Sequence, residues 1–313
     1  MRELNRRWTC SLAAIVCLSF VVPVSGQARG DSLLQPALVR EFDQAVSVAA
    51  TATAVFVVDA GAATVTRIVT ATGEVDIYSG SGGRDGRLQS ASDVDPTNGL
   101  NILVCDQGSG RILRLSRDLT PIEFLQTGSS REPTTGLNTF DAAADWRMLP
   151  IRIASIDEKT IAILDGPTSR VFRWTADRGI DQRFGSGTNP PEAPVDIAAD
   201  SRSVYVADRQ TGCLFVYDTM GSFIRRMACE PAEELVSVNH AAGRLWVTRR
   251  ADSPSGEFAV VESWLQDGSF AGRYVAPDGL GVVGAVGAAG QIWLLTPSAL
   301  YASPPARGVG DRR

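Results

Sequence analysis

Histidine is almost absent from this chain, with His240 the only one among 313 residues. A zinc centre takes three or four protein ligands, and one imidazole with dispersed thiols does not supply the usual set. A Ser-His-Asp hydrolase is equally poorly served, because no nucleophile elbow accompanies that histidine. Lysine is as scarce: Lys159 stands alone and nearly all basic charge is Arg. The formal charge is −5, which argues against nucleic acid as a partner. No sustained helical period follows the first residues, and no later apolar run is long enough to span a bilayer.

What is present begins with an export signal. Arg2, Arg6 and Arg7 precede an apolar run from Cys10 to Val22, and Val24-Ser25-Gly26 puts small residues before a cleavage site,. Pro23 ends the run well short of the ~20 residues that cross a bilayer,. Residues 1–26 are therefore expected to be a signal peptide, cut after Gly26 or Ala28. Ala14-Ile15-Val16 before Cys17 makes a poor lipoprotein box, and Trp8 after Arg6-Arg7 makes a weak twin-arginine signal. Removing these residues moves the formal charge to −7, since three Arg and one Glu leave. A soluble protein in the periplasm or outside the cell is expected, with no nucleic-acid partner and no transmembrane segment in the mature chain.

Internal periodicity decides the fold. Val55-Phe-Val-Val-Asp59, Ile102-Leu-Val-Cys-Asp106, Ile161-Ala-Ile-Leu-Asp165 and Val204-Tyr-Val-Ala-Asp208 share an apolar run closed by Asp. Two further copies, Leu245-Trp-Val-Thr248 and Ile292-Trp-Leu-Leu-Thr296, close with Thr. Measured from that last residue the spacings are 47, 59, 43, 40 and 48, which suits one four-stranded blade per copy,. Around each copy the pattern repeats: a strand such as Val195 to Ala199 before it, then Leu214 to Asp218 and Phe223 to Met227 after it, with turn residues between,. This predicts an all-β, six-bladed β-propeller of four-stranded blades over residues 38–302.

The last copy lacks an outer strand, because after Tyr301 the chain becomes Pro-rich and stops. Leu38 to Phe42 has no inner strand ahead of it and matches the missing piece. It is expected to close the ring on the final blade, removing exposed sheet edges. An uncommitted N-terminal extension is the alternative. Residues 303–313 read as a flexible C-terminal tail.

The repeats resemble those of NHL-repeat propellers. Gly80-Ser-Gly-Gly-Arg-Asp-Gly86 through Ala91, and Phe184-Gly-Ser-Gly187 through Pro194, are similar to that family's inter-blade linkers. The Asp106/Arg111 and Asp165/Arg170 pairs are similar to its repeat. The resemblance covers about residues 38 to 302, with moderate specificity in the first four copies and little in the last two. It implies architecture more than activity, because such folds serve enzymes and binders alike. Enzymatic propellers of this shape, the amidating and streptogramin-type lyases, rely on histidines that this chain lacks. The lactonase-like ones hold a divalent metal through an acid early in the first blade, where this chain has Gln44-Ala-Val-Ser-Val48.

Alternate residues of the inner strands point into the channel. Ser47, Asp93, Arg152, Asp196, Ser237 and Gly284 form one ring of equivalent positions; Ala49, Asp95, Ala154, Ala198, Asn239 and Val286 form the next. Asp93, Asp95, Arg152, Asp196 and Asn239 are the candidate ligand-binding residues. Arg152 would meet a carboxylate and the acids would accept hydrogen bonds or hold a cation such as Ca²⁺. An internal ion network that keeps the channel wet is the other reading. Two long loops, Gly128 to Pro150 with Phe140 and Trp146, and Arg249 to Glu257, are expected on the face where the inner strands begin,. His240 reads as a turn or core residue, and Cys105 as a small core residue. Cys213 and Cys229 fall opposite or diagonal on the third and fourth strands of blade four, within reach of a disulfide,.

The expected function is that of an extracytoplasmic binding or scaffold module, monomeric and without a cofactor, holding a protein, peptide or glycan partner. The alternative is a metal-dependent lyase or lactonase-like enzyme acting on a small polar substrate in the channel.

Overall fold

A computed structural model describes residues 31–304, apart from 81–85, 97–99, 127–147, 186–189 and 254–255. The expected signal peptide, most of the expected C-terminal tail, and the insertion carrying Phe140 and Trp146 lie outside the described residues. Six antiparallel sheets follow one another along the chain. Their inner strands are Ala45–Ala50, Ala91–Asp95, Pro150–Ser155, Pro194–Ala199, Glu234–Ala241 and Gly284–Ala288. Among the described residues the one helical element is a single 3-10 turn at Gln107–Ser109. No helix among them is long and apolar enough to cross a membrane. The fold is an all-β, six-bladed propeller.

The second strands explain why the repeats read as unbroken apolar runs. Ala54–Asp59 and Thr160–Asp165 are buried at every position, because each blade is covered on both faces by its neighbours. The core is accordingly divided among the interfaces: Val58, Val65 and Tyr78 of blade one pack with Val94, Val104 and Leu113 of blade two. Blades five, six and one share a cluster around Trp246, Trp293, Leu294 and Val57.

The aspartate closing four of the repeats is a turn anchor. The Asp59 carboxylate accepts the N–H groups of Asp43, Gln44 and Ala62. Asp208 likewise accepts those of Glu192, Ala193 and Thr211. Asp106 takes Gln89 and Ser90, and Asp165 takes Leu149 and Thr168. Each buried carboxylate thus joins the linker entering its blade to the turn leaving its second strand. At Asp59 burial pushes the pKa up, but the donated backbone N–H groups outweigh it and hold the carboxyl below its usual value,.

The ring closes as expected. Ala37–Glu41 pairs antiparallel with the last strand, Ala299–Ser303, and supplies blade six with its outer strand. That last strand includes Ser303, one residue past the boundary drawn from sequence. A second N-terminal contact was not foreseen: Ser32–Leu33 pairs parallel with the outer strand of blade five, Phe270–Val275, and makes that blade five-stranded. Two residues carry no readable period, so sequence had nothing to mark them. Leu34 N–H then bonds Val275 O and Gln35 N–H bonds Ser303 Oγ, so the segment steps from blade five to blade six.

The second expected long loop, Arg249 to Glu257, is corrected. Arg244–Ser253 and Gly256–Leu265 continue as one paired ladder out to Ser253↔Gly256, making a hairpin ribbon. Arg249 and Arg250, read from sequence as loop residues, have partners within the structure. Arg250 contacts Glu234 at 3.1 Å and Glu257 at 2.8 Å.

Candidate functional site: the central channel

Five of the six inner strands carry a register shift at the same place, between Ala45/Ser47, Ala91/Asp93, Pro150/Arg152, Pro194/Asp196 and Leu235/Ser237. Such an irregularity re-aims the residue beside it. Blade six pairs regularly at Gly284↔Leu295. The side chains of Ser47, Asp93, Arg152, Asp196 and Ser237 thereby line one channel, together with Asp95, Asn239 and His240. All five candidate residues are brought together there.

Most of their polar atoms are already used between blades. Asp93 Oδ2 accepts the N–H of Ile153 in blade three at 2.8 Å, while Oδ1 accepts the hydroxyl of Ser47 in blade one at 2.5 Å. Asp95 accepts the N–H of Ser155 in blade three. Asp196 Oδ2 accepts the N–H of Val238 in blade five at 2.9 Å, and Asn239 donates to Ala285 O in blade six at 3.1 Å. Arg152 meets Asp196 at 3.2 Å and donates to the carbonyls of Ser92 and Ile151. The sequence placed Arg152 between two acids; its close ion pair is with Asp196, and Asp93 bonds to Ser47 and to backbone.

Burial sets the electrostatics. It pushes Asp93 up to about 7 and Asp196 up to about 6, against the pull of the Arg152 guanidinium, with Asp196 adding to the rise at Asp93. Burial alone would lower Arg152, but the two acids raise it. The network is therefore an arginine held between carboxyls that give up their protons reluctantly. Ser237 Oγ is buried in the channel wall with no hydrogen-bond partner.

His240 sits at the far end of its inner strand, Glu234–Ala241, and faces the channel instead of a turn. Its Nε2 lies 3.2 Å from Gln266 Nε2 and its Nδ1 has no partner. Burial holds its pKa below the ordinary value, although Asp200 and Asp95 pull the other way. The space remaining in the channel is about 40 Å³, room for a few water molecules and far below the several hundred Å³ typical of small-molecule sites. Among the described residues no group of three His, Cys, Asp or Glu is arranged to hold a metal ion.

Sequence reading missed a second charged cluster, under blade five. Arg249 and Glu262 are both fully buried and meet at 3.2 Å. Glu262 is also held by Trp264 Nε1 at 3.2 Å and Arg273 at 2.9 Å, and Arg273 continues to Glu233. Only half of the signal was available: Glu262 interrupts the apolar run Ala259 to Trp264, whereas Arg249 stands next to Arg250 and reads as part of a polar stretch.

No protein-family model and no curated protein sequence matches the chain. Solved structures do. Virginiamycin B lyase from Staphylococcus aureus superposes with a TM-score of 0.54 at 12% identity, covering 86% of this chain and 98% of that one. A luciferin-regenerating enzyme gives 0.52 at 10% identity, covering 88% and 96%. Nidogen, solved in a complex with laminin, gives 0.50 at 15% identity, covering 75% and 81%. Two enzymes and one protein-binding chain thus share this architecture, and at such identities the likeness is one of fold: this chain is a six-bladed β-propeller.

Proposed function

We propose that the protein is an extracytoplasmic binding or scaffold module of NHL type, holding a protein, peptide or glycan partner on the face where the inner strands begin. The observation that carries this reading is the use of the channel acids: Asp93, Asp95 and Asp196 each accept a backbone N–H from the next blade. Groups committed in this way rivet the ring and have little left to offer a substrate or cation. The small channel volume points the same way, since a partner must then engage the rim. There the hairpin ribbon of blade five stands beyond the shorter hairpins of its neighbours, on a rigid scaffold of the kind that commonly presents binding segments. The module functions as a monomer and takes no cofactor.

One observation favours the enzymatic alternative. His240 shares the channel with the acids and keeps an unpartnered Nδ1, as a general base in a lyase or lactonase-like site would. A Ca²⁺ ion at the acids belongs to this alternative. The two readings separate in one experiment. Partner capture from envelope extracts is compared for the native protein, Asp252→Lys/Glu257→Lys on the ribbon, and Asp93→Asn in the channel, with metal content measured on each. The binding reading expects the ribbon variant to lose its partner and the channel variant to keep it. A stoichiometric metal lost in Asp93→Asn, with capture indifferent to the ribbon, refutes it.

A further inference from the structure

Cys213 and Cys229 form a disulfide in blade four, with Cα atoms 4.1 Å apart. Its two halves are unlike. Cys213 begins the third strand and is buried, 6% exposed, whereas Cys229 follows the outer strand and is exposed. The residues immediately before the two cysteines, Gly212 and Ala228, both turn their carbonyls to one guanidinium. Arg249 Nη1 donates to Gly212 O at 3.1 Å and Nη2 donates to Ala228 O. That arginine is fully buried, belongs to blade five, and stands at the base of the hairpin ribbon. The disulfide therefore holds together the two carbonyls on which the ribbon's anchor rests.

We propose that this disulfide is a one-sided thiol-exchange site, attacked at Cys229, whose opening releases the Arg249 anchor and loosens the ribbon of residues 249–253 and 256–257. The proposal does not depend on the binding reading. The co-reactant is a small cysteine-containing thiol such as glutathione. Its thiolate attacks the Sγ of Cys229, the exposed half of the pair; the bond between the two protein sulfurs breaks, and the electron pair leaves on Cys213 Sγ, which takes up a proton. Cys229 is left as a mixed disulfide. A second thiolate attacks the small molecule's sulfur in that adduct, releasing Cys229 as the thiolate, which is protonated. Two small thiols are thereby oxidised to one disulfide and the protein disulfide is reduced to two thiols. Access selects the sulfur attacked, because exchange requires the nucleophile to reach it. With the link gone, the ladder ending at Leu214↔Met227 and the Glu230 N–H on Gly212 O remain, but the two-carbonyl seat of Arg249 loses its covalent brace.

The test treats the native, oxidised protein briefly with glutathione, quenches in acid, and alkylates the denatured chain with iodoacetamide before peptide mass spectrometry. The expected product carries glutathione on Cys229 and the alkyl group on Cys213, by about tenfold over the reverse, as access-controlled exchange requires. Equal or inverted labelling overturns the proposal. So does failure to form an adduct at thiol concentrations that reduce the denatured protein, and so do two free thiols in the untreated protein. Hydrogen exchange then compares oxidised and dithiothreitol-reduced protein: amides of residues 249–253 and 256–257 should exchange about tenfold faster after reduction, with the strand Asn101–Asp106 of blade two unchanged,. Unchanged ribbon amides, or equal acceleration in both segments, refute the local release.

Discussion

Replacing Arg249 with methionine tests whether the buried charge cluster ties blade five to blade four. Met fills much of the same volume, so the loss is chiefly electrostatic. Arg249 and Glu262 are each 0% exposed, and breaking a buried ion pair from one side costs about 3–5 kcal/mol. Two carbonyls also lose a charged donor, each worth about 1.5–3 kcal/mol. These costs overlap and are partly relieved, because Gly212 O still accepts Glu230 N–H and Glu262 keeps Arg273 and Trp264. A net loss of about 3–5 kcal/mol remains the expectation. Urea unfolding followed by far-UV circular dichroism, with the disulfide intact, should show the midpoint falling at constant m. In a domain of this size the thermal midpoint should fall by about 6–10 °C. The double variant Arg249→Met/Glu262→Gln should cost about 1.5 kcal/mol less than the two single changes summed. A single-variant loss under about 1 kcal/mol, or additivity in the cycle, would refute the anchor.

Two other expectations follow from the channel and the blade interfaces. The folded-state pKa of Asp93 is raised to about 7 from 3.8, so the folded state holds this proton more tightly than the unfolded chain. The stability it contributes is full below the unfolded value and is lost as pH rises toward 7, up to a ceiling of about 4 kcal/mol. Asp93→Asn should flatten that part of the stability–pH curve, measured by urea unfolding from acid to neutral pH; a wild-type slope in the variant contradicts the assignment. Gly287→Ala addresses packing, since a Cβ there would lie 1.9 Å from the Trp246 ring. Overpacking of this severity costs about 1–3 kcal/mol or more, and a variant as stable as wild type in thermal melts would show that Trp246 moves freely.

The ring was legible because burial between blades leaves a plain mark: apolar second strands spaced one blade apart. The closing strand was legible as a piece missing at one end and spare at the other. Asp59, Asp106, Asp165 and Asp208 were visible as a repeat, but their work was not, because the N–H groups they bind come from linkers some 15 residues earlier. The channel set was found by counting along strands, yet counting cannot tell a carboxylate facing a ligand from one bonded to the next blade's backbone. Arg249 was misplaced for a physical reason. Charge ordinarily signals solvent, and here the compensating charge sits on a different strand, out of reach of any local pattern.

The closure of blade six has a consequence for how the molecule is made. Ala37 pairs with Ala302 and Glu41 with Ala299, so the strand that precedes the first blade waits for one more than 250 residues later. Blades one to five can each form from neighbouring chain, but the final seam requires a contact of very high sequence separation, the kind that slows folding. A chain released before Ala299 would have its starting strand without a partner and both flanks of the gap open. Emergence of Ala299–Ser303 is thus the event that turns a row of sheets into a ring.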